Sequence, residues 1–437
     1  MNIKEAKTEI KYAVGAYLEK EETGEYLLPE RFCRPLLLIG PPGIGKTAIM
    51  AQIAEELSIN LVSYTITHHT RQSAIGLPVV EHRTFAGEEF VITEYTMSEI
   101  IAAVYAKIEE SGNPEGILFL DEINCVSETL LPTMLQFLQY KTFGTHKVPR
   151  GFVIACAGNP PQYNRSAREF DIVTLDRVRR IDIEVDAEVF LSYAAAARMH
   201  GAVQSFLDIK RDFLYRVRTD IEERRFVTAR SWEDLSVMLL SYERNGFPIS
   251  IDLIGEYLED AEIAKDFFAY LGLYEKYRSQ FAISDILSGK LAEAGAEVSQ
   301  APFDERLSLL HLLLDALGQR FLDYDKALKK QTEWMQAIRS GEGDTEDERK
   351  AFEEAEDLRQ QEIDETDAAL SRTLNFLDRT FGEGQELVLF LTGLGRDPLA
   401  KQFIADCGNE AYGKYAHLLL LDQEKEALKR EVLKISV

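Results

Sequence analysis

The chain has 437 residues, 28% of them charged, and its 74 acidic and 49 basic side chains give a formal net charge of −25. This length allows two or three domains with a substantial core, and the acidic balance argues against a surface dominated by nucleic acid contacts. We expect a soluble, cytoplasmic protein with reduced thiols and no membrane span, because its four cysteines match no metal spacing and no apolar run suits a bilayer or a signal peptide.

The first predicted elements are a helix over residues 3–19, a short apolar strand at Pro35–Ile39, and a glycine-rich loop that leads into a second helix. The loop reads GPPGIGKT and satisfies G-x-x-x-x-G-K-[ST] in the strand–loop–helix context that this motif requires. Its glycines let backbone N–H groups point at phosphate oxygens, and the helix N-terminus adds partial positive charge. We expect Lys46 to reach the β- and γ-phosphates and the Thr47 hydroxyl to hold Mg²⁺. The predicted nucleotide-binding residues are Gly40, Pro41, Pro42, Gly43, Ile44, Gly45, Lys46 and Thr47.

A predicted strand at residues 60–68 is followed by a long connection that contains a hairpin. Two strand-like pieces, Val79–Arg83 and Glu89–Tyr95, flank a turn at Gly87. Long connections within compact domains usually carry a function, so we interpret this hairpin as a functional projection. The alternative is an edge hairpin that extends the central sheet.

The next two predicted elements are a helix and a buried strand, and a pair of carboxylates follows the strand. Thr96–Glu99 has the form of a capping box before an amphipathic helix. Residues 116–120 form a continuous apolar run, typical of a strand buried on both faces, and Asp121 and Glu122 follow it. We expect Asp121 to hold Mg²⁺ through water and Glu122 to act as general base. A lone DE pair also caps many strands, but here it follows a complete phosphate loop.

Further elements complete the α/β pattern. A helix at 127–140 and a polar loop or small hairpin at 141–151 lead to another buried strand, Phe152–Ala157. Asn159 follows this strand beside the predicted carboxylate pair and could hydrogen-bond the γ-phosphate or the attacking water. An Asx turn before proline is the alternative. Alternation over Arg179–Val185 predicts a fifth strand.

Strands alternate with helices up to residue 186, which predicts a mostly parallel sheet with helices on both faces. After Asp186 the strand signal disappears and helical patterns continue. The apolar repeat Leu307, Leu310, Leu314, Leu317 and Phe321 indicates core packing, and the acid-rich stretch 342–367, which opens at a Gly341 turn, predicts a solvated helical hairpin or a partly disordered insertion. We divide the chain into an α/β nucleotide-binding domain (1–186), a helical domain (187–285) and an all-α C-terminal region (286–437).

Taken in this order, the motifs resemble those of the AAA+ ATPases, and within them the MoxR-like branch that includes the CbbQ- and NorQ-type activators. The similarity covers roughly residues 30–245 and rests on the phosphate loop, DEIN at 121–124, GNP at 158–160, LDRVRR at 175–180 and ARSWEDL at 229–235. Gly76–Pro78 after Arg71–Ser73 also resembles the segment after the second strand of that branch. The resemblance implies a three-layer αβα core with a parallel sheet of order 5-1-4-3-2, followed by a helical lid. The all-α C-terminal extension beyond about residue 285 is predicted from its helical patterns and matches no known family.

The resemblance also assigns roles to polar residues outside the phosphate loop. Asn159 matches the first sensor, and Arg230 matches the second sensor, which reaches the γ-phosphate from the lid. Arg177 matches the arginine finger offered to a neighbouring subunit's ATP. Because a valine follows it where phenylalanine is usual, Arg179 or Arg180 could share or take that role.

By the same resemblance, the cofactors are ATP and Mg²⁺, and the chain assembles into a homo-oligomeric ring, usually a hexamer, with ATP between subunits. The hairpin at 79–95 and the loop at 141–151 would then face the central pore or the client. Such ATPases remodel a protein client, often together with a protein that carries a von Willebrand factor A domain.

ATP hydrolysis coupled to remodelling or activation of a protein client is therefore the favoured function. A nucleic-acid motor or loader is the first alternative, but the acidic balance and the lack of a basic, aromatic-interleaved stretch disfavour it. The second alternative is a switch that binds ATP without turnover, which Glu122 and the candidate finger arginines disfavour. A small-molecule kinase is disfavoured because the sequence has no obvious acceptor pocket.

Overall fold

The computed structural model of the protein describes residues 1–68, 76–164, 166–219, 224–280, 283–290, 298–340 and 346–419. The chain forms two compact units, one of Met1–Val189 with Thr228–Arg230 and one of Phe190–Val227 with Ser231–Val437. The Arg71–Ser73 segment and the predicted Gly341 turn lie outside the described residues, as does the chain after residue 419. In the described part, no helix is both long enough and apolar enough to cross a membrane.

The strands of the described residues, in chain order, are β1 (Leu36–Ile39), β2 (Asn60–Thr65), β3 (Pro78–Phe85), β4 (Glu88–Tyr95), β5 (Gly116–Asp121), β6 (Thr142–Phe143), β7 (His146–Lys147), β8 (Phe152–Gly158), β9 (Arg179–Asp182), β10 (Arg216–Thr219) and β11 (Arg224–Val227). The helices are α1 (Ile3–Leu18), α2 (Lys46–Glu56), α3 (Glu99–Ser111), α4 (Leu131–Tyr140), α5 (Ile172–Leu175), α6 (Ala187–Ala196), α7 (Gly201–Ile209), α8 (Ala229–Asn245), α9 (Ile251–Tyr257), α10 (Ala261–Gln280), α11 (Ile283–Ser288), α12 (Phe303–Ser340), α13 (Glu346–Phe381), α14 (Gln385–Arg396), α15 (Pro398–Cys407) and α16 (Glu410–Tyr415).

A parallel five-stranded sheet organises the first unit. Its strands lie in the order β2-β5-β8-β1-β9. Numbered as the first to fifth strands of the sheet and read from the β9 edge, this is the order 5-1-4-3-2, so the prediction is confirmed. All four pairings are parallel, so every strand ends at the same edge of the sheet.

Helices cover both faces of this sheet, because successive side chains of a strand point to opposite faces. In β5, Ile117 and Phe119 pack with α1 and α2, whereas Leu118 and Leu120 pack with α3 and α4. All four side chains are fully buried. Burial on both faces explains the continuous apolar run in the sequence and confirms the three-layer αβα core.

Two antiparallel hairpins form small sheets of their own, β3 with β4 and β6 with β7. The turn between β3 and β4 is Ala86–Gly87, whose φ angles of 52° and 89° are those of a two-residue hairpin turn with positive φ at both positions. Because β3 and β4 do not pair with the five-stranded sheet, the alternative of an edge extension is wrong. For residues 141–151 the sequence predicted a polar loop or a small hairpin, and the β6–β7 pair confirms the hairpin.

Several local predictions are wrong, in whole or at one end. Helix α4 begins at Leu131 and not at residue 127, and β9 ends at Asp182 and not at Val185. Helix α3 begins at Glu99 with Ser98 as N-cap, and the Thr96 hydroxyl accepts a hydrogen bond from the Leu77 N–H at 2.9 Å, so no capping box forms. β2 ends at Thr65, where a 3₁₀ turn follows. Strand structure also continues beyond Asp186, because β10 and β11 form an antiparallel ladder. These two short strands carry four arginines and only three apolar residues, Val217, Phe226 and Val227, which is too few to give an alternating pattern in the sequence.

The second unit is mainly helical. Its core includes Leu307, Leu310, Leu317 and Phe321, all buried, with Leu314 half-buried against it, which confirms the predicted packing. The long helices α12 and α13 pack against each other. The acid-rich stretch is helical from Glu346 onward.

Candidate functional site

The polar residues predicted to act together lie at the carboxyl ends of β1, β5 and β8, the edge where parallel α/β sheets form ligand sites. Ile39 at the end of β1 pairs with Gly158 at the end of β8, and Leu120 near the end of β5 pairs with Cys156. A cavity of about 700 Å³ opens beside these strand ends.

The phosphate loop depends on its glycines for both conformation and close packing. Gly43 and Gly45 adopt φ angles of 71° and 93°, which other residues rarely take. A Cβ on Gly43 would lie 2.7 Å from the Thr228 Oγ1, and one on Gly40 would lie 2.7 Å from the Ile183 carbonyl oxygen. Helix α2 begins directly after the loop, so the unpaired N–H groups of its first turn are where a phosphate would bind.

Lys46 is buried in this loop, and its ammonium donates to three oxygens. These are the carbonyl oxygens of Gly40 at 2.8 Å and Pro41 at 2.7 Å, and the Asn159 Oδ1 at 2.8 Å. Burial lowers the pKa of Lys46 to about 8; the Arg230 charge adds to this effect, and the carboxylates after β5 oppose it. A phosphate would raise the pKa again by stabilising the ammonium, so this buried lysine suits an anionic ligand.

Thr47 and Asp121 bring two oxygen donors together. The Thr47 hydroxyl donates to the Asp121 Oδ2 at 2.8 Å. Mg²⁺ prefers hard oxygen ligands and usually binds through one or two protein oxygens, water and substrate phosphates. Among the described residues there is no cluster of three or more His, Cys, Asp or Glu side chains that could hold a metal. One hydroxyl and one carboxylate from the protein form a donor set that fits a magnesium ion shared with a phosphate.

Glu122 has an unusual backbone conformation, with φ of 56° in the left-handed region. Such a conformation is uncommon for glutamate, and strain of this kind concentrates at functional sites. Its N–H donates to the Asp121 Oδ1 at 2.9 Å, and its Oε2 accepts a hydrogen bond from the Thr67 hydroxyl at 3.2 Å. The 3₁₀ turn that follows β2 thus positions the carboxylate of Glu122 next to the predicted magnesium ligands.

Asn159 is held in place by Asn124, a residue that the sequence interpretation did not single out. The Asn124 side-chain amide donates to the Asn159 carbonyl oxygen at 2.7 Å, and its Oδ1 accepts from the Asn159 N–H at 3.3 Å. A Cβ on Gly158 would lie 2.6 Å from the Asn124 Oδ1. The Asn159 Oδ1 accepts from Lys46, and the alternative of an Asx turn is wrong because Pro161, two residues on, has no N–H to donate. The signal for Asn124 was its place within DEIN, two residues after Glu122.

Arg230 belongs to the same compact unit as the phosphate loop, although it lies 184 positions after Lys46 in the chain. Its backbone N–H donates to the Gly43 carbonyl oxygen at 3.1 Å. Its side chain is exposed. The guanidinium is near enough to lower the pKa of Lys46, which places a second positive charge beside the predicted phosphate position.

The three candidate finger arginines differ in their partners. Arg179 forms an ion pair with Glu9, and Arg180 pairs with Asp182 at 2.8 Å. Arg177 is exposed and forms no ion pair with any described residue. Of the three arginines, Arg177 is thus the one whose guanidinium is not already bound to a carboxylate.

Residues 36–175, from β1 to the end of α5, match the family described as "ATPase family associated with various cellular activities (AAA)". Among solved structures, a proline-to-glycine mutant of RuvB from Thermotoga maritima is similar, with 15% sequence identity and a TM-score of 0.32 over 58% of this chain and 69% of that chain. Comparison with curated proteins found no match.

Proposed function

Because residues 36–175 form an AAA domain with a nucleotide-binding phosphate loop, we propose that the protein hydrolyses ATP as a ring-forming AAA+ ATPase that remodels or activates a protein client. The MoxR-like branch is the type of AAA+ ATPase we assign. The observation that carries this proposal is the convergence of Lys46, Thr47, Asp121, Glu122 and Asn159 at one edge of the sheet.

ATP would bind with its phosphates in the loop. The Lys46 ammonium exchanges its contacts with backbone carbonyl oxygens for β- and γ-phosphate oxygens, and the N–H groups of the loop and of α2 donate to the phosphates. Thr47 and Asp121 would hold Mg²⁺, which when bound neutralises charge on the phosphates. The Arg230 guanidinium would contact the γ-phosphate.

Hydrolysis needs a base beside the attacking water. The water oxygen attacks the γ-phosphorus, the bond to the β–γ bridging oxygen breaks, and Glu122 accepts the proton from the water. The Asn159 amide would orient the water or a γ-phosphate oxygen, with Asn124 holding its backbone in position. The products are ADP and inorganic phosphate.

Assembly into a ring would bring a third positive charge, the Arg177 guanidinium of a neighbouring subunit, to the γ-phosphate. Lys46 and Arg230 already provide positive charge from within the chain, and the unpaired Arg177 suits the ATP of a neighbouring subunit. Charge that develops on the transferred phosphoryl group makes such a positioned guanidinium effective. We take the ring to be a hexamer, as in the ATPases that the sequence resembles.

We assign client contact to the hairpin β3–β4. A protein that carries a von Willebrand factor A domain is the co-partner we propose. The strands of the hairpin are almost entirely exposed, and they present apolar side chains such as Val80, Phe85, Phe90 and Val91. The same strands carry four glutamates and one arginine. Exposed apolar groups and excess negative charge suit a protein surface and disfavour a phosphate backbone.

Replacing Lys46 with alanine tests the nucleotide site. The loss of a buried ammonium at the phosphates should weaken ATP binding by about 10- to 100-fold, the range for a hydrogen bond to a charged group. A fluorescent ATP analogue titrated with Mg²⁺ measures this. Lys4→Ala, at an exposed position on α1, is the matched control and should bind like the parent. Equal affinity of Lys46→Ala and the parent, with both folded by circular dichroism, contradicts the proposed site.

Shortening the β3–β4 hairpin to a Gly-Ser turn tests its role. Basal ATP hydrolysis should stay close to that of the parent, because the hairpin forms a separate sheet that contributes no residue to the phosphate site. Stimulation of hydrolysis by a client should disappear. A collapse of basal activity in the shortened protein, at unchanged melting temperature, would instead assign the hairpin to the hydrolytic machinery.

A further inference from the structure

A cavity of about 730 Å³ lies within the second unit, away from every residue assigned above. It is bounded by α6, α7, α8, α10, α11, α12 and α14, and its walls include the apolar side chains of Leu240, Ile283, Leu312, Leu314 and Leu322. Cavities of roughly 300–1,000 Å³ with apolar walls and a few polar groups are typical of organic ligand sites.

Most charged groups around this cavity already have a partner of opposite charge. Arg198 binds Asp397 through two hydrogen bonds of 2.7 and 3.2 Å. Glu243 accepts from Arg278 at 3.1 Å and pairs with the His200 Nε2 at 3.0 Å. The His200 Nδ1 accepts from the Ala202 N–H, so this imidazole is also occupied at both nitrogens.

Two further lining groups are paired as well. The Arg396 guanidinium binds Asp208 at 3.0 Å, and the His311 Nε2 lies 3.6 Å from the same carboxylate. Arg396 and His311 therefore both already face a carboxylate of the same unit.

Asp315 differs from these charged groups in its lack of an oppositely charged partner among the described residues. Within the described part of the chain, its carboxylate forms no ion pair and accepts one hydrogen bond, from the Tyr274 hydroxyl to Oδ2 at 2.9 Å. Its side chain is exposed to the cavity. Although the carboxylate faces the cavity, the protein around it removes much of its hydration, and this desolvation raises the pKa of Asp315; the Tyr274 hydrogen bond and the nearby His311, His200 and Arg278 oppose the shift without cancelling it. A carboxylate in this situation gains from a cation that enters the cavity.

The position of this carboxylate is fixed by close packing against the start of α7. A Cβ on Gly201 would lie 1.8 Å from the Asp315 Oδ2 and 2.2 Å from the Tyr274 hydroxyl oxygen. No other residue type fits there without moving both groups. The hydroxyl and the glycine thus hold Oδ2 against the protein, which leaves Oδ1 for a ligand.

We propose that this cavity binds an aliphatic primary ammonium group, which donates to the Asp315 carboxylate while its alkyl chain packs on the leucine walls. An ammonium is favoured over a guanidinium, because a guanidinium pairs best with both oxygens of a carboxylate and Tyr274 already uses one of them. The ammonium can come from a free alkylamine or from a lysine side chain of a polypeptide. This proposal does not depend on ATP hydrolysis.

Calorimetric titration of the full chain at pH 7 with n-butylammonium and with n-butanol tests the charge requirement. The two probes have nearly the same shape, so the parent should bind the ammonium at least about tenfold more tightly. A capped lysine, N-acetyl-lysine N-methylamide, distinguishes the sources. Binding of the capped lysine assigns the site to a polypeptide side chain, and binding of n-butylammonium alone assigns it to a free amine.

Asp315→Asn removes the charge with little change in shape and should lower n-butylammonium affinity at least about tenfold. Glu333→Gln, at an exposed position on the same helix and not among the cavity-lining residues, is the matched control and should bind like the parent. Equal binding of n-butanol and n-butylammonium by the parent overturns the proposal, and this comparison stands even if Asp315→Asn fails to fold. Undiminished ammonium binding by a folded Asp315→Asn, or no binding by the parent up to about 10 mM, also overturns it.

Discussion

Replacing Glu122 with glutamine should leave ATP bound and reduce its hydrolysis by about 100-fold or more, the range expected when a general base is lost. Glutamine keeps the shape of the side chain and can still accept a hydrogen bond from Thr67, but it cannot take the proton of the attacking water. Phosphate release measured at saturating ATP and Mg²⁺ gives the rate, and a fluorescent analogue gives the affinity.

The matched control for this change is Glu109→Gln, at an exposed position on α3 outside the site. It should hydrolyse ATP at the rate of the parent. If Glu122→Gln turns over ATP as fast as the parent, Glu122 has no part in the mechanism, and its left-handed backbone then needs another explanation.

Replacing Arg177 with alanine should leave ATP affinity nearly unchanged and lower hydrolysis by roughly 10³-fold, as expected for a guanidinium that stabilises a neighbour's transition state. Arg180→Ala is the comparison within the same segment. Arg180 is paired with Asp182, so its loss should have a much smaller effect on hydrolysis. A larger loss in Arg180→Ala than in Arg177→Ala would move the finger to Arg180.

Mixing the two inactive proteins separates a ring from a single-chain site. A mixed ring of Arg177→Ala and Glu122→Gln contains interfaces with an intact base on one side and an intact finger on the other, so some activity should return. Hydrolysis per subunit should also rise with protein concentration as the ring assembles. If the mixture is inactive and the activity per subunit does not change on dilution, the ring hypothesis is wrong and Arg177 is an ordinary surface residue.

Several features of this protein were determined by the sequence alone, because each depends on requirements that act over a few neighbouring residues. The loop glycines at positive φ, the buried strand of β5 and the carboxylates after it are such features, and the structure places all of them at one sheet edge. The hairpin register of β3 and β4 likewise follows from a two-residue turn. The strand order came from the family resemblance and is confirmed.

Other features were decided only by tertiary structure, because they join residues far apart in the chain or depend on a partner strand. Lys46 and Asn159 are 113 positions apart, and their hydrogen bond exists because β1 and β8 pair in parallel. The β10–β11 ladder has too few apolar residues for an alternating pattern, so the sequence did not indicate it. The choice among the candidate finger arginines also depends on tertiary structure, because Arg179 and Arg180 each form an ion pair with a carboxylate and Arg177 forms none with any described residue. Asp315 is an ordinary aspartate in the sequence, and only the tertiary structure places its carboxylate on a cavity wall, held by Tyr274 and packed against Gly201 with no ion-pair partner among the described residues.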